Sequence, residues 1–288
     1  MSQRIRHSGS KLLRALPAPL RRLLARPALR AFEAFVTFRA RGDETEHPLG
    51  ADADWPLPPA RLRVKVSWSA DPRFFLDGGR EHARLIRDLL ARDGASVQRF
   101  EAILDFGCGC GRVTRWWSDV PAQLHGCDAD DELVAWCQAQ LPRMTAAVTH
   151  LEPPTPYEPE SFDLIYALSV FTHIPEALQR PWIEELMRLL RPGGYLFLTV
   201  SGNAYREQLS PSERTSFAVG ELTTRFDELA GTNLCTAYHP PVYVTSQLLS
   251  GATIVQQRLA DTADDGQPFL LLQDSYLARK PGVPAPAD

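Results

Sequence analysis

Asp105-Phe106-Gly107-Cys108-Gly109-Cys110-Gly111-Arg112 sets one carboxylate and three alternate glycines directly after an apolar run that includes Ile103 and Leu104. Glycine takes positive φ cheaply and leaves room for a close neighbour. A strand that ends in such a turn and re-enters a helix offers backbone N–H groups to a ligand at the carboxyl edge of a parallel sheet. The spacing is D-x-G-x-G-x-G. It is not the G-x-G-x-x-G of a dinucleotide turn, because the sixth position counted from Gly107 is Arg112. Asp128 follows 21 residues after Gly107, at the end of the run 123–127. Doubly wound nucleotide sites place an acid about 20 residues on, where its carboxylate accepts both ribose hydroxyls. Two histidines qualify as general bases by position. His173 lies just past the apolar run 161–168, and His239 lies in the later segment that also holds Tyr238, Tyr243 and the Pro240-Pro241 bend.

These groups need a scaffold, and the periodicity supplies one. Ala83, Leu85, Ile86, Leu89 and Leu90 recur at helical spacing before the first strand, with Gly94 as a stop. After the glycine turn, 113–117 reads as a helix and 123–127 as a second strand. Asp130 and Asp131 read as the cap and first-turn acid of the helix carrying Leu133, Val134 and Cys137. A third strand is expected over 143–149, a fourth over 161–168, a helix over 182–190 and a fifth strand over 195–200. The runs 253–259 and 269–277 supply an antiparallel closing pair.

The glycine turn, Asp128, the strand exit Ser169-Val170-Phe171-Thr172-His173-Ile174-Pro175 and Leu190-Arg191-Pro192-Gly193-Gly194 before an apolar strand stand in one order. In that combination the chain resembles the class I S-adenosylmethionine (SAM)-dependent methyltransferases of small-molecule type, over about residues 75–280 and most densely over 101–200. The resemblance implies an α/β fold: a Rossmann-like, doubly wound, mostly parallel sheet with an antiparallel closing strand, an N-terminal extension and a substrate-cap insertion. It implies SAM as cofactor, held by Asp105, Gly107, Cys108, Gly109, Gly111, Arg112, Asp128, Ala129, Leu151 and Ala167. Within that set Arg112 is expected at the SAM carboxylate and Leu151 at the adenine face. The family usually carries an acid or Asn for the adenine amino group near the third strand. Here Thr149, His150 and Glu152 stand there, and none matches that pattern.

The resemblance further implies methyl transfer to a small-molecule acceptor, with His173 or His239 as base and Phe171, Tyr238 and Tyr243 against the substrate. No metal is expected, since Leu168-Ser169-Val170-Phe171 lacks the acids of the metal-assisted catechol type. The Asn/Asp-Pro-Pro-aromatic tetrad of nucleic-acid N-methyltransferases is missing from the same place. O-methylation of a sugar, lipid-linked or secondary-metabolite hydroxyl is the expected reaction. Small-molecule N- or C-methylation, aminopropyl transfer and a non-catalytic scaffold that docks through its basic N-terminus remain open.

The 288 residues are 44% apolar and 23% charged, ordinary for a globular protein, but the net charge of −4 is unevenly spread. Residues 1–41 hold ten Lys and Arg against one acid, Glu33, which leaves 21 basic against 34 acidic residues in the remainder. The acidic body argues against a nucleic-acid partner. The basic head, with leucines at helical spacing, marks 1–41 as a candidate peripheral-membrane or protein contact. Pro17, Pro19 and Pro27 are expected to interrupt any single long helix there. The domain reading is 1–42 basic amphipathic extension, 43–74 proline-rich linker or cap, 75–280 SAM-binding domain with 201–250 as substrate cap, and 281–288 disordered tail. Five clustered cysteines without zinc spacing predict free buried thiols and a cytoplasmic protein, with the inner membrane surface as a candidate location.

Overall fold

The computed structural model describes residues 17–39, 55–260 and 272–282, so 43–54 of the predicted linker and 283–288 of the predicted tail lie outside the described residues. Among the described residues, nine strands and six helices of at least eight residues carry the fold. The strands are β1 (Ala102–Phe106), β2 (Gln123–Asp128), β3 (Met144–Val148), β4 (Phe162–Leu168), β5 (Leu190–Val200), β6 (Thr223–Arg225), β7 (Thr236–Tyr238), β8 (Thr253–Arg258) and β9 (Asp274–Arg279). The helices are α1 (Ala18–Arg39), α2 (Ala60–Ser67), α3 (Pro72–Arg92), α4 (Asp131–Gln140), α5 (Glu176–Leu189) and α6 (Pro211–Ala218). Seven strands form one sheet in the order β3-β2-β1-β4-β5-β9-β8, and β6 and β7 pair separately. Strands β1 to β5 are mutually parallel, while β9 runs antiparallel to both β5 and β8. This is the predicted Rossmann-like sheet with its closing strand.

Alternation along the strands splits the core in two, because successive side chains point to opposite faces. Leu104, Phe106, Ile165 and Leu196 pack with Trp182, Ile183 and Leu186 of α5 on one face. Ile103, Leu124, Leu164 and Phe197 pack with Ile86 and Leu90 of α3 and Val134 of α4 on the other. With both faces covered, the central strands are apolar throughout, and all five residues of β1 are buried. The strand order reverses between β1 and β4, which opens a crevice at their carboxyl ends.

Three local expectations are corrected. Prolines do not break the N-terminal helix. Pro17 precedes α1, and Pro19 sits in the first turn, where an N–H lacks a helical partner anyway; Pro27 alone lies in the interior. The loss at Pro27 is offset by tertiary contact, as Ala25 is fully buried and Phe32 meets Trp68 edge-on at 5.4 Å. The linker 43–74 contains α2, and α3 begins at Pro72, with Asp71 capping the Arg73 N–H. The segment after the glycine turn is a short 3₁₀ turn, Thr114–Trp117, in place of the expected helix.

Helix α3 also runs through Gly78-Gly79, although glycine is a poor helix former. Packing explains it. A Cβ at Gly79 would stand 2.0 Å from the Arg112 carbonyl oxygen and 2.7 Å from Trp116 Nε1. The absent side chain lets α3 rest on the backbone of the glycine turn. Gly→Ala inside a helix ordinarily gains about 1 kcal/mol, so Gly79→Ala tests the contact by its sign. Urea unfolding should show a loss of roughly 1–3 kcal/mol. Gly251→Ala, in open space, should stay within about 0.5 kcal/mol of the parent.

Candidate active site

The crevice above β1, β2 and β4 is a cavity of about 1260 Å³. Small-molecule sites usually occupy about 300–1,000 Å³, so there is space for more than one ligand. Its floor is the turn after β1. Gly107, Gly109 and Gly111 all take positive φ, at 75°, 55° and 73°. The Gly107 and Cys108 N–H groups donate to the Cys127 carbonyl at 2.8 and 3.0 Å, and the Gly109 N–H donates to Asp128 Oδ2 at 2.8 Å. The turn is thereby tied to the end of β2. A Cβ at Gly107 would lie 2.4 Å from Val170 Cγ2, and one at Gly109 2.7 Å from Val66 Cγ2. Only glycine fits between these neighbours at those dihedral angles.

Asp105 is 4% exposed at the end of β1 and lines the cavity. Thr114 Oγ1 donates to its Oδ2 at 2.6 Å. Thr114 Oγ1 also hydrogen-bonds Tyr166 Oη across 3.1 Å, and Trp117 Nε1–H donates to Tyr166 at 3.1 Å. Burial raises the Asp105 carboxyl to about 7, against the lowering effect of Thr114, Tyr166 and Arg112. Burial likewise raises Asp128, whose Oδ1 accepts from the Asp130 N–H at 2.9 Å. A carboxylate has about four lone-pair sites, so Asp128 retains acceptor capacity toward the cavity. Arg112 also lines the cavity, and its guanidinium makes no hydrogen bond or ion pair with a described side chain. Thr149 Oγ1 is buried in the wall with no partner.

SAM is a nucleoside with a cationic sulfonium, an α-amino group and a carboxylate. The cavity offers complements to each: two carboxylates, one uncommitted guanidinium, an orphaned hydroxyl and the apolar surface of Leu151 and Trp182. The donor set fits the group.

The predicted site residues separate cleanly. Asp105, Gly107, Cys108, Gly109, Arg112, Asp128, Ala129, Leu151, His173 and Tyr238 all line this one cavity. Gly111, Ala167, Phe171, Tyr243 and His239 do not. Gly111 faces Leu141, and Ala167 and Phe171 are fully buried in the core beside α5. Tyr243 is buried beside His239, with ring centres 6.2 Å apart.

His239 is the clearest correction. It is 0% exposed, and its Nε2 meets Gln179 Oε1 at 2.9 Å. Gln179 spends its amide hydrogens on the Phe171 and Ile174 carbonyls, so its oxygen must accept and His239 must donate. Burial lowers this imidazole to about 3. It is a structural pin between α5 and β7.

His173 lies on the cavity wall with Nδ1 2.7 Å from the Cys235 carbonyl. A carbonyl can only accept, so Nδ1 carries a proton and donates it there.

Several lining groups were not picked out from sequence. His82 on α3 contacts the Gly78 carbonyl at 2.6 Å, and burial lowers it to about 3. Ser169 adopts φ 63° at the end of β4. Its N–H donates to Thr199 Oγ1 at 2.9 Å, and Gln273 Nε2 donates to its hydroxyl at 2.8 Å. Arg225 is clamped by Glu213 at 2.7 and 2.5 Å and donates to Tyr238 Oη at 3.1 Å. Helix α1 roofs the cavity with Ala25, Leu29 and Phe32. Only the run Ser169–His173 carried a local signal, as the exit of a buried strand.

Residues 104–198 match the family model described as a methyltransferase domain. They form a methyltransferase domain of the class I, SAM-dependent type. The chain is 31% identical over 138 residues to a trans-aconitate 2-methyltransferase of Azoarcus sp., covering 46% of this chain and 51% of that protein. It is 32% identical over 112 residues to a malonyl-[acyl-carrier protein] O-methyltransferase of Enterobacter lignolyticus, covering 38% and 43%. The chain thus spans about half the length of these curated relatives. A SAM-dependent methyltransferase structure from Mesorhizobium loti aligns with TM-score 0.53 and 22% identity, over 71% of this chain and 100% of that one. The 1,6-didemethyltoxoflavin-N1-methyltransferase of Burkholderia thailandensis aligns with TM-score 0.51 and 18% identity, over 82% and 93%. These two show the shared fold.

Two measurements check the methyltransferase site. Asp128→Ala should weaken SAM binding by about 1.5–3 kcal/mol in calorimetry, through loss of charge-assisted acceptors. An unchanged affinity in a folded variant would remove Asp128 from the ribose. The second concerns Asp105. From its ordinary 3.8 up to about 7, the unfolded chain has lost this proton while the folded protein keeps it. Stability contributed by this group therefore falls as pH rises through that window and levels off above it. Asp105→Asn should flatten that part of a urea-midpoint profile; an identical pH profile would show that Asp105 is not the titrating group.

Proposed function

We propose that this protein transfers the methyl group of SAM to a hydroxyl oxygen of a small-molecule acceptor, with His173 as general base. SAM, when bound, supplies a methyl group already activated by its sulfonium. The chain must hold the acceptor in line, exclude water and take one proton. Positioning of this kind is worth up to about 7–11 kcal/mol. The observation that carries the reading is a single cavity lined by both the glycine turn with Asp128 and a histidine whose Nδ1–H is anchored on Cys235. That anchor orients Nε2, the nitrogen able to accept the acceptor's proton.

The acceptor side supports a hydroxylated ligand. Ser169, Gln273, Ser201, Gln208 and Tyr238 line it with neutral hydrogen-bonding groups. Arg225 brings a cation there, but Glu213 already balances it. The four-residue network of Ser169, Thr172, Thr199 and Gln273 pins the β4 and β5 ends beside His173. Helix α1, α2 and the 201–250 insertion, with its β6–β7 pair, act as the cap that shuts out water. Among curated relatives, the malonyl-[acyl-carrier protein] and ubiquinone-biosynthesis enzymes are named O-methyltransferases, which supports oxygen as the acceptor atom.

The test is transfer of labelled methyl from SAM to a panel of sugars, phenols and hydroxylated lipids. His173→Gln should lower turnover about 10²–10⁴-fold with SAM affinity unchanged. His239→Asn should lower the melting temperature and leave turnover of the folded protein near the parent's. Wild-type turnover in His173→Gln, or methylation only at nitrogen or carbon, would overturn the reading.

A further inference from the structure

Helix α1 is 22 residues long, about 33 Å, and has two apolar faces. The inner face packs down: Ala25, Leu29 and Phe32 wall the cavity, and Arg21 pairs with Glu228 at 2.6 Å. The outer face is also apolar. Leu20, Leu23, Leu24 and Phe35 are 45%, 71%, 44% and 53% exposed, and Pro27 and Ala31 between them are exposed too. At 100° per residue these six positions fall within about 120° of arc, with no charged residue among them. The helix carries arginines at 21, 22, 26, 30 and 39 against the single acid Glu33, and all five arginines fall at positions outside that arc. An apolar stripe bordered by cations is the pattern of a helix that lies in the headgroup region of an anionic bilayer.

Charge separates this reading from a protein partner. Residues 1–41 hold ten basic residues against one acid, while the rest of the chain is net acidic. An anionic surface would attract the head and repel the body, so the molecule would dock α1 first. No helix among the described residues is long and apolar enough to cross a membrane, so the contact is peripheral.

We infer that the outer face of α1 is a docking site for an anionic phospholipid surface, which sets the wall of the cavity against the bilayer. The inference does not depend on methyl transfer, and its test is independent of turnover. The full chain is sedimented with vesicles of phosphatidylcholine alone and of phosphatidylcholine mixed with phosphatidylglycerol. Binding should require the anionic lipid and weaken as salt rises. Leu23→Glu combined with Phe35→Glu should weaken binding about tenfold or more without changing the melting temperature. Arg30→Glu, which keeps the stripe, should weaken binding to the anionic vesicles by roughly tenfold. Equal binding to neutral vesicles, no binding to either, or wild-type binding by the double variant would overturn the proposal. So would a lipid-free dimer of the parent that the double variant splits, which would assign the face to a second copy of the chain.

Discussion

The short distance between the glycine turn and the end of β2 is the constraint on which the rest of the site is built. Three backbone N–H groups of that turn are spent on Cys127 and Asp128, so the turn cannot drift from the sheet. Once it is held there, α2, α3 and the β4 exit all close on it. Val66, the Gly79 backbone and Val170 come within contact of the turn or of Arg112 just after it. Each glycine in the set marks a place where another element arrives. The turn is therefore a packing hub, and that role demands small residues.

Desolvation sets the chemistry of the groups around it. Asp105, Asp128, His82 and His239 are all shifted toward their neutral forms, chiefly by burial. The five cysteines are free and buried, so they serve as small apolar fillers. The two histidines show how a partner decides a role. His239 faces an amide oxygen deep between α5 and β7, and donates from Nε2. His173 faces a backbone carbonyl at the cavity wall and holds its proton on Nδ1. The residue type is the same, but only His173 lines the cleft.

The N-terminal helix ties the cavity to the outside of the molecule. Its inner face closes the site, and its ion pair to Glu228 joins it to the 201–250 insertion. That ion pair joins segments about 200 residues apart in sequence. Its outer face adds a stripe of exposed leucine and phenylalanine that a soluble globular surface would ordinarily avoid at such density.

Much of the fold was legible in the chain because its signals are local. Apolar runs of strand length, alternate glycines, the Asp130 cap and the Asp128 offset are set by neighbours a few residues apart. They determined the parallel sheet, its antiparallel closure and the glycine turn. What the tertiary structure alone decided depends on groups distant in sequence. Whether Pro27 breaks a helix depended on the pocket that receives Ala25 and Phe32. Whether Gly78-Gly79 ends a helix depended on the Arg112 carbonyl beneath it. Whether His173 or His239 faces the cleft depended on Cys235 and Gln179, each about 60 residues away. Local pattern specifies the elements, because backbone geometry and burial periodicity act over a few residues. Hydrogen-bond partners and desolvation are set only when the elements meet, so the roles of individual side chains were decided there.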